Sequence, residues 1–287
     1  MITRRLLIAF IALLLGCACG AVLLAGSFLT SPATQALGNL PADLSGRPVE
    51  FQSSSGATIH GWFLPGQPER GGIILMHGVR ANRLSMVARA RFLSRAGYAV
   101  LLFDFQAHGE STGKHITFGS LESKDAQAAV NFLRQNAPGN KIATIGVSLG
   151  GAATILASPP LQVDAVVLEM VYPTIEEAIS DRLAIKLGRM GPVFTPLLAL
   201  QLRPRLGIGP DELRPIDKVG QIAAPKLFIA GTDDQHTTIE ESKRLFENAS
   251  EPKEFWTLQG AAHVDFHQKA PVEYEHRILE FLERYLK

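Results

Sequence analysis

The sequence predicts an α/β protein built on a mainly parallel sheet of about eight strands. From Pro48 onward, short apolar or β-branched runs alternate with longer amphipathic runs, which is the pattern of strands and helices in turn. The composition agrees, because 46% hydrophobic and 19% charged residues in a chain of 287 residues indicate a globular protein. A disordered chain or a collagen-like chain is excluded.

The charge balance excludes a nucleic-acid partner. The chain has 28 basic and 27 acidic residues and a formal net charge of +1. A nucleic-acid binder normally has a basic stripe and a high pI, whereas this pI is about 7.9. The two cysteines, Cys17 and Cys19, exclude a disulfide scaffold.

Residues 1–30 are predicted to form a membrane anchor. The run from Leu6 to Leu29 contains no charged residue and exceeds the roughly 20 residues that cross a bilayer as a helix. Arg4 and Arg5 precede this run, and the first charge after it is Asp43. The positive-inside rule therefore predicts a cytoplasmic N-terminus and a folded domain on the extracytoplasmic side.

Two alternatives to the anchor remain open at this stage. A cleaved signal peptide would give a secreted protein, and a lipid-modified Cys17 would give a lipoprotein. The anchor is favoured because the apolar run continues beyond Cys19 to Ala25, whereas the apolar core of a signal peptide is shorter. Residues 31–47 are predicted to be a linker, and residues 48–287 the folded domain.

Two predicted strands, Val49 to Gln52 and Thr58 to Phe63, form an opening hairpin around a Ser-Ser-Ser-Gly turn. The six further predicted strands are Gly72 to Met76, Ala99 to Phe103, Ile142 to Ile145, Ala165 to Glu169, Lys226 to Ala230 and Glu254 to Leu258.

Predicted helices lie between these strands. They are Arg83 to Arg95, Leu121 to Asn136, Leu149 to Ala157, Ile239 to Ala249 and Val272 to Leu286. Residues 172–225 carry helical apolar runs without strand signals. An insertion of this length in a compact domain indicates a cap over the sheet edge, where it shapes a substrate pocket.

Gly146-Val147-Ser148-Leu149-Gly150 is the strongest chemical motif in the chain. It follows a predicted strand directly and precedes a predicted helix. A sharp turn from strand to helix strains the backbone of Ser148, and side chains two positions on either side would collide unless those residues were glycine. This context predicts that Ser148 is a nucleophile.

A serine nucleophile needs a base, and the base needs an orienting carboxylate. Asp233 and Asp234 follow one predicted strand, and His263 follows the next. Both loops belong to the strand ends at which open α/β sheets bind ligands. We therefore expect one of the two aspartates to orient His263.

Two further motifs are Met76-His77-Gly78-Val79 and the segment from Asp104 to Ser111. With these motifs, the Ser148 motif and the Asp–His loops, the chain from Pro48 onward resembles the α/β-hydrolase family of serine esterases, lipases and peptidases. Gln106 and Ala107 depart from the family pattern, in which Arg and Gly are more usual.

The resemblance implies a mainly parallel eight-stranded α/β-hydrolase sheet with a small helical cap, and assigns roles to individual residues. The implied triad is Ser148, Asp234 and His263. The implied oxyanion hole consists of the N–H groups of Val79 and Leu149, and the implied supporting residues are His77, Gly78, Gly146 and Gly150.

Alternatives for the acid stay open, because Asp233 and Glu169 also end or follow strands. His263, Asp265 and His267 have the spacing of metal ligands, but there is no upstream histidine pair to complete a zinc site, so we expect no metal and no cofactor.

We expect a carboxylic-ester hydrolase that forms an acyl-enzyme, with a small-molecule or lipid-like ester as substrate. A serine peptidase, an acyltransferase and a non-catalytic binding protein of the same fold are the alternatives. The sequence does not indicate an oligomeric state.

Overall fold

The computed structural model describes residues 2–287; for residues 2–5, 8, 11, 14, 15 and 18 it describes the backbone without the side chains. Its strands in chain order are β1 (Ala33–Thr34), β2 (Arg47–Gln52), β3 (Thr58–Leu64), β4 (Gly72–Met76), β5 (Ala99–Phe103), β6 (His108–Gly109), β7 (Ile142–Val147), β8 (Ala165–Glu169), β9 (Lys226–Gly231) and β10 (Lys253–Leu258).

Eight of these strands form one sheet in the order β10-β9-β8-β7-β4-β5-β3-β2. The pairs from β10 to β5 are parallel, whereas β3 runs antiparallel to both β5 and β2. The predicted opening hairpin and the mainly parallel eight-stranded sheet are therefore confirmed. Because β4, β7, β8, β9 and β10 are parallel, the loops that follow them meet at one edge of the sheet.

The helices in chain order are α1 (Ile2–Thr30), α2 (Val87–Arg95), α3 (Ser120–Asn136), α4 (Leu149–Leu156), α5 (Ile175–Leu187), α6 (Thr195–Ala199), α7 (Leu202–Leu206), α8 (Ile239–Glu247), α9 (Phe266–Lys269) and α10 (Pro271–Leu286). Several of them pack on the two faces of this sheet.

Successive side chains of β4 alternate between the two faces of the sheet, so this strand contributes to two hydrophobic clusters. Ile73 and Leu75 pack in a cluster with side chains of α2 and α10. Ile74 and Met76 pack on the opposite face in a cluster with side chains of α3 and α4. Successive side chains of a strand point to opposite faces, so a continuous apolar run is what a strand covered on both faces requires.

Two helices begin at a threonine cap that is followed three residues later by a glutamate. The Thr238 hydroxyl accepts from the Glu241 N–H at 3.3 Å, and the Glu241 carboxylate accepts from the Thr238 N–H at 2.6 Å. Thr174 likewise accepts from the N–H of Glu177 at 3.2 Å. Each cap satisfies a backbone donor that the first turn of a helix leaves free.

The chain between β8 and β9 contains α5, α6 and α7, together with short 3₁₀ helices. Thr174, the cap of α5, comes soon after the end of β8. This insertion therefore starts at the edge of the sheet where the loops of the parallel strands meet, and its apolar side chains join the cluster around β8 and β9.

The predicted membrane anchor is not supported. Within the part of the chain that the structure describes, no helix combines the length and the apolar character needed to cross a membrane. The side chains of Arg4 and Arg5, on which the predicted orientation depends, lie outside that part.

The C-terminal end of α1 contacts the rest of the protein. The Thr30 carbonyl accepts from the N–H of Ile116 at 2.9 Å. Directly after α1, β1 pairs with β6 in parallel, with Ala33 opposite His108. These hydrogen bonds fix the chain where it leaves α1.

Candidate active site

Ser148 lies in the turn that joins β7 to α4, with φ of 50° and ψ of −107°. A residue other than glycine at such a positive φ is strained, at a cost of about 1–3 kcal/mol. The turn is held by its backbone, since the N–H of Ser148 donates to the Glu169 carbonyl at 2.8 Å and its carbonyl accepts from the Ala152 N–H at 2.9 Å. Ser148 is 3% exposed.

The two glycines of the motif allow this turn to close. A Cβ on Gly146 would lie 2.5 Å from the Gly150 carbonyl carbon, and a Cβ on Gly150 would lie 2.4 Å from the Met76 carbonyl oxygen. Both neighbours are backbone atoms, which cannot rotate away as a side chain can. The motif therefore has a local steric cause.

Asp234 and His263 come together from the loops after β9 and β10. His263 Nδ1 lies 2.7 Å from Asp234 Oδ2. The other carboxylate oxygen, Oδ1, accepts from the N–H groups of His236 at 2.7 Å and Thr237 at 3.0 Å. These two backbone donors fix the carboxylate, which in turn orients the imidazole.

The other candidate acids have different partners. Asp233 is exposed and accepts from the Thr232 hydroxyl at 3.0 Å. Glu169 is buried, and its carboxylate pairs with Arg89 at 2.8 Å and accepts from the Tyr274 hydroxyl at 2.5 Å. The geometry thus distinguishes Asp234 from the alternatives that the sequence leaves open.

The buried pair of Arg89 and Glu169 is part of a network that sequence reasoning missed. Arg89 also pairs with Asp265 at 2.9 Å, two residues beyond His263. Burial alone would lower the pKa of Arg89, but the attraction of Glu169 raises it above its ordinary value. The network ties α2, the end of β8 and α10 to the loop that carries His263. The sequence indicates Glu169 only as a candidate acid at the end of a strand, and nothing in it indicates that Glu169 pairs with Arg89.

We expect Glu169→Gln to lower the free energy of unfolding by about 3 kcal/mol, because it leaves the buried Arg89 charge without its main partner. Urea denaturation measures the change. The matched control is Asp43→Asn, which breaks an exposed ion pair with Arg91 and should cost much less stability than Glu169→Gln, because water screens the exposed pair. Equal losses of unfolding free energy in the two variants would contradict the prediction that the buried Arg89–Glu169 pair matters more to stability than an exposed pair.

His77 supports the loop after β4. Its Nδ1 lies 2.7 Å from the Gly78 carbonyl oxygen, and its Nε2 accepts from the Phe105 N–H at 3.1 Å. Burial, with a smaller contribution from His108, lowers the pKa of His77 to about 3. The ring is therefore neutral at pH 7 and holds the backbone of Gly78 and Val79.

The folded protein is expected to lose stability below about pH 6.5, partly through His77. Its folded pKa is lower than its unfolded pKa, so between about pH 6.5 and pH 3 the unfolded chain binds more protons. The contribution of His77 to the free energy of unfolding is fully present above about pH 6.5. Below that pH it falls by up to about 1.4 kcal/mol for each pH unit. Urea denaturation of the parent and of His77→Gln across this range should give a shallower slope for the variant. Identical slopes would refute the assignment.

Val79 and Leu149 lie beside Ser148. Leu149 is the first residue of α4, where backbone N–H groups have no partner inside the helix. Val79 and Leu149 line a common cavity with Ser148. This position is compatible with donation of both N–H groups to an oxygen bound near the Ser148 hydroxyl.

The segment after β5 stabilises the loop that follows β4 and carries Val79. Asp104 is buried, and its carboxylate accepts from the N–H groups of Arg83 at 2.7 Å and Glu110 at 3.0 Å. His108 Nε2 accepts from the N–H of Arg80 at 3.1 Å, directly after Val79. The segment therefore holds loops by hydrogen bonds.

Two cavities meet at Ser148. The apolar cavity, of about 410 Å³, is lined by Leu149, by side chains of α5 and by the end of α1. The second cavity, of about 380 Å³, also has apolar lining residues, but its lining includes His263, Ser85 and Asp265, and we call it the polar cavity. Four residues line both cavities: Val79, Ser148, Arg182 and His236.

Asp234, His236 and His263 place ligand atoms within 4.8 Å of one another, so this group is the one among the described residues that could hold a metal ion. Asp265 and His267, which share with His263 the sequence spacing of metal ligands, are not part of this group. Burial, and then the neighbouring His263, lower the pKa of His236, which leaves this ring neutral at pH 7. An ion at this position would compete for the Asp234 carboxylate that orients His263.

Comparisons with known proteins agree with this architecture. A family model described as serine aminopeptidase, S33, matches residues 67–198. The chain is 29% identical over 252 residues to the alpha/beta hydrolase domain-containing protein WAV2 of Arabidopsis thaliana, covering 83% of this chain and 78% of that protein. It is 25% identical over 235 residues to the uncharacterized protein YqkD of Bacillus subtilis, covering 80% and 77% of the two chains.

A solved structure extends the comparison. The esterase Pf2001 of Pyrococcus furiosus is similar at a TM-score of 0.73 and 25% identity, covering 88% of this chain and 97% of that one. The predicted fold class is confirmed: the chain has the α/β-hydrolase fold.

Proposed function

We propose that this protein is a serine hydrolase that cleaves carboxylic esters through an acyl-enzyme. The observation that carries the proposal is the Asp234–His263 hydrogen bond of 2.7 Å beside a cavity that His263 shares with the strained Ser148. Nucleophile, base and orienting acid in this chain order are what acyl transfer by an α/β-hydrolase requires. The esterase Pf2001, which has the same fold, supports an ester as substrate.

In the proposed first step, the Ser148 oxygen attacks the ester carbonyl carbon while His263 Nε2 takes the hydroxyl proton. The Asp234 carboxylate accepts from Nδ1, which keeps Nε2 free to act as the base. The carbonyl oxygen becomes an oxyanion, and the N–H groups of Val79 and Leu149 stabilise it. One such donor contributes about 3 kcal/mol to lowering the barrier.

The bond between carbon and the leaving oxygen then breaks, and the proton on His263 passes to the departing alcohol. Water enters, His263 removes a proton from it, and the resulting attack on the acyl-enzyme releases the acid and restores Ser148. The proton taken from water passes from His263 to the Ser148 oxygen as the acid leaves, so every proton moves through His263 and water is the only further reactant.

A serine peptidase is the second candidate, because the family model that matches residues 67–198 is described as a serine aminopeptidase. An acyltransferase would use the same residues with an alcohol or amine in place of water. A non-catalytic binding protein is disfavoured by the strained serine and the aligned Asp–His pair, which a binding protein does not require.

The deciding experiment is labelling of the purified full chain with a fluorophosphonate probe, followed by parallel assays on p-nitrophenyl esters and aminoacyl p-nitroanilides. Labelling that is lost in His263→Ala, with turnover of the esters, is the expected result. Turnover of anilides in preference to esters would favour the peptidase, and a folded parent that neither labels nor turns over would favour the binding protein.

A further inference from the structure

We propose that the apolar cavity binds the fatty acyl chain of the substrate and that the C-terminal end of α1, residues Ala25 to Thr30, forms one of its walls. The inference rests on the proposed ester hydrolysis, and it assigns the N-terminal helix a role in substrate binding.

The lining of the apolar cavity suits an alkyl chain. From α5 it receives Ile175, Ala178, Ile179 and Leu183, and from the following helices Leu198 and Leu202. From α1 it receives Ala25, Gly26, Phe28, Leu29 and Thr30. A volume of about 410 Å³ falls within the range of about 300–1,000 Å³ that small-molecule sites occupy.

The position of His263 indicates which half of an ester enters which cavity. His263 lines the polar cavity and is absent from the residues that line the apolar one. Because His263 must reach the leaving oxygen to protonate it, the alcohol half belongs in the polar cavity. The acyl half then extends past Ser148 and Leu149 into the apolar cavity.

Polar side chains of the cap hold α1 against this cavity. Gln201 Nε2 donates to the Val22 carbonyl at 3.1 Å, and Arg205 Nη2 donates to the Leu23 carbonyl at 2.8 Å. A Cβ on Gly26 would lie 2.3 Å from Gln201 Oε1, so the glycine permits this close approach.

Arg80 links the same end of α1 to the loop of Val79. Its guanidinium donates to the carbonyls of Phe28 at 3.0 Å and Ser31 at 3.2 Å, and it lies 4.3 Å from the centre of the Phe28 ring. A cation at the C-terminus of a helix meets the negative end of the helix dipole. Hydrogen bonds from Arg80 therefore hold the end of α1 in place. Arg80 directly follows Val79, the proposed oxyanion donor.

The test compares Leu29→Trp, which fills the apolar cavity from α1, with Leu24→Trp. Leu24 is 73% exposed and lies outside the cavity lining, so the control adds the same side chain to the same helix. The substrates are p-nitrophenyl acetate, octanoate and laurate. Each methylene group buried in the cavity changes kcat/KM by about fourfold.

In the parent, kcat/KM is expected to rise from acetate to octanoate. Leu29→Trp should lower the ratio of octanoate to acetate by about tenfold or more, whereas Leu24→Trp should leave it within about twofold. Ala178→Trp fills the cavity from the cap and should lower the same ratio. An effect of Ala178→Trp without one of Leu29→Trp would overturn the role of α1, and an effect of neither would overturn the acyl site.

A binding measurement separates this inference from the proposed function. Calorimetry with laurate on Ser148→Ala should detect binding that Leu29→Trp, in the same background, weakens by about tenfold. If Leu29→Trp does not fold, Leu29→Ala replaces it and should also weaken laurate binding. Laurate binding without any ester turnover would contradict only the proposed function, whereas ester turnover without laurate binding would contradict only the acyl site.

Discussion

Replacing Ser148 by alanine is expected to abolish fluorophosphonate labelling and to lower kcat for p-nitrophenyl esters by about 10⁴- to 10⁶-fold. The variant lacks the oxygen that forms the acyl-enzyme, so hydrolysis can proceed only by direct attack of water in a site that still binds substrate. Steady-state kinetics and gel-based labelling of the purified full chain measure the two effects.

A loss of this size has meaning only in a folded variant. Alanine keeps the Cβ of Ser148, and the turn is held by backbone hydrogen bonds to Glu169 and Ala152, so the unfolding free energy should change by less than about 1 kcal/mol. A stable Ser148→Ala variant that retains a tenth or more of the parent's kcat would contradict the acyl-enzyme mechanism.

Asp234→Asn is expected to lower kcat by about 10⁴-fold. The amide can donate its N–H to His263 Nδ1, which moves the imidazole proton to Nε2 and leaves no lone pair facing the serine. The backbone donors of His236 and Thr237 can still bond to the amide oxygen, so the loop should stay in place. The pH profile of kcat/KM and a thermal melt accompany the rate measurement.

The neighbouring aspartate provides the matched control. Asp233→Asn makes the same change at an exposed position that bonds to Thr232, and it should leave kcat within about twofold. A larger loss in Asp233→Asn than in Asp234→Asn would reverse the assignment. If kcat falls only in Glu169→Gln, and that variant remains folded, Glu169 at the end of β8 would be the triad acid.

Much of the fold could be read from the sequence because its signals are local. Continuous apolar runs of about five residues indicate strands covered on both faces, and Thr238 with Glu241 marks the start of α8 before any tertiary contact is considered. The turn at Ser148 is equally local, since Gly146 and Gly150 are needed for steric reasons within a few residues.

The network of Arg89, Glu169 and Tyr274 could not be read in this way. Its members belong to α2, β8 and α10, and the local sequence around any one of them does not indicate the other two. A buried ion pair forms only where distant parts of the chain meet and exclude water. The same holds for the partner of His263, since adjacent aspartates differ only in the direction of their side chains.

The sequence by itself therefore determined the order of strands and helices, the strained turn at Ser148 and the loops that carry Asp234 and His263, because these follow from backbone sterics and from the period of apolar residues. The tertiary structure decided which carboxylate contacts His263 and where the end of α1 lies. Both depend on contacts between residues far apart in the chain, such as Arg80 with Phe28 and Arg205 with Leu23, and a local pattern contains no information about them.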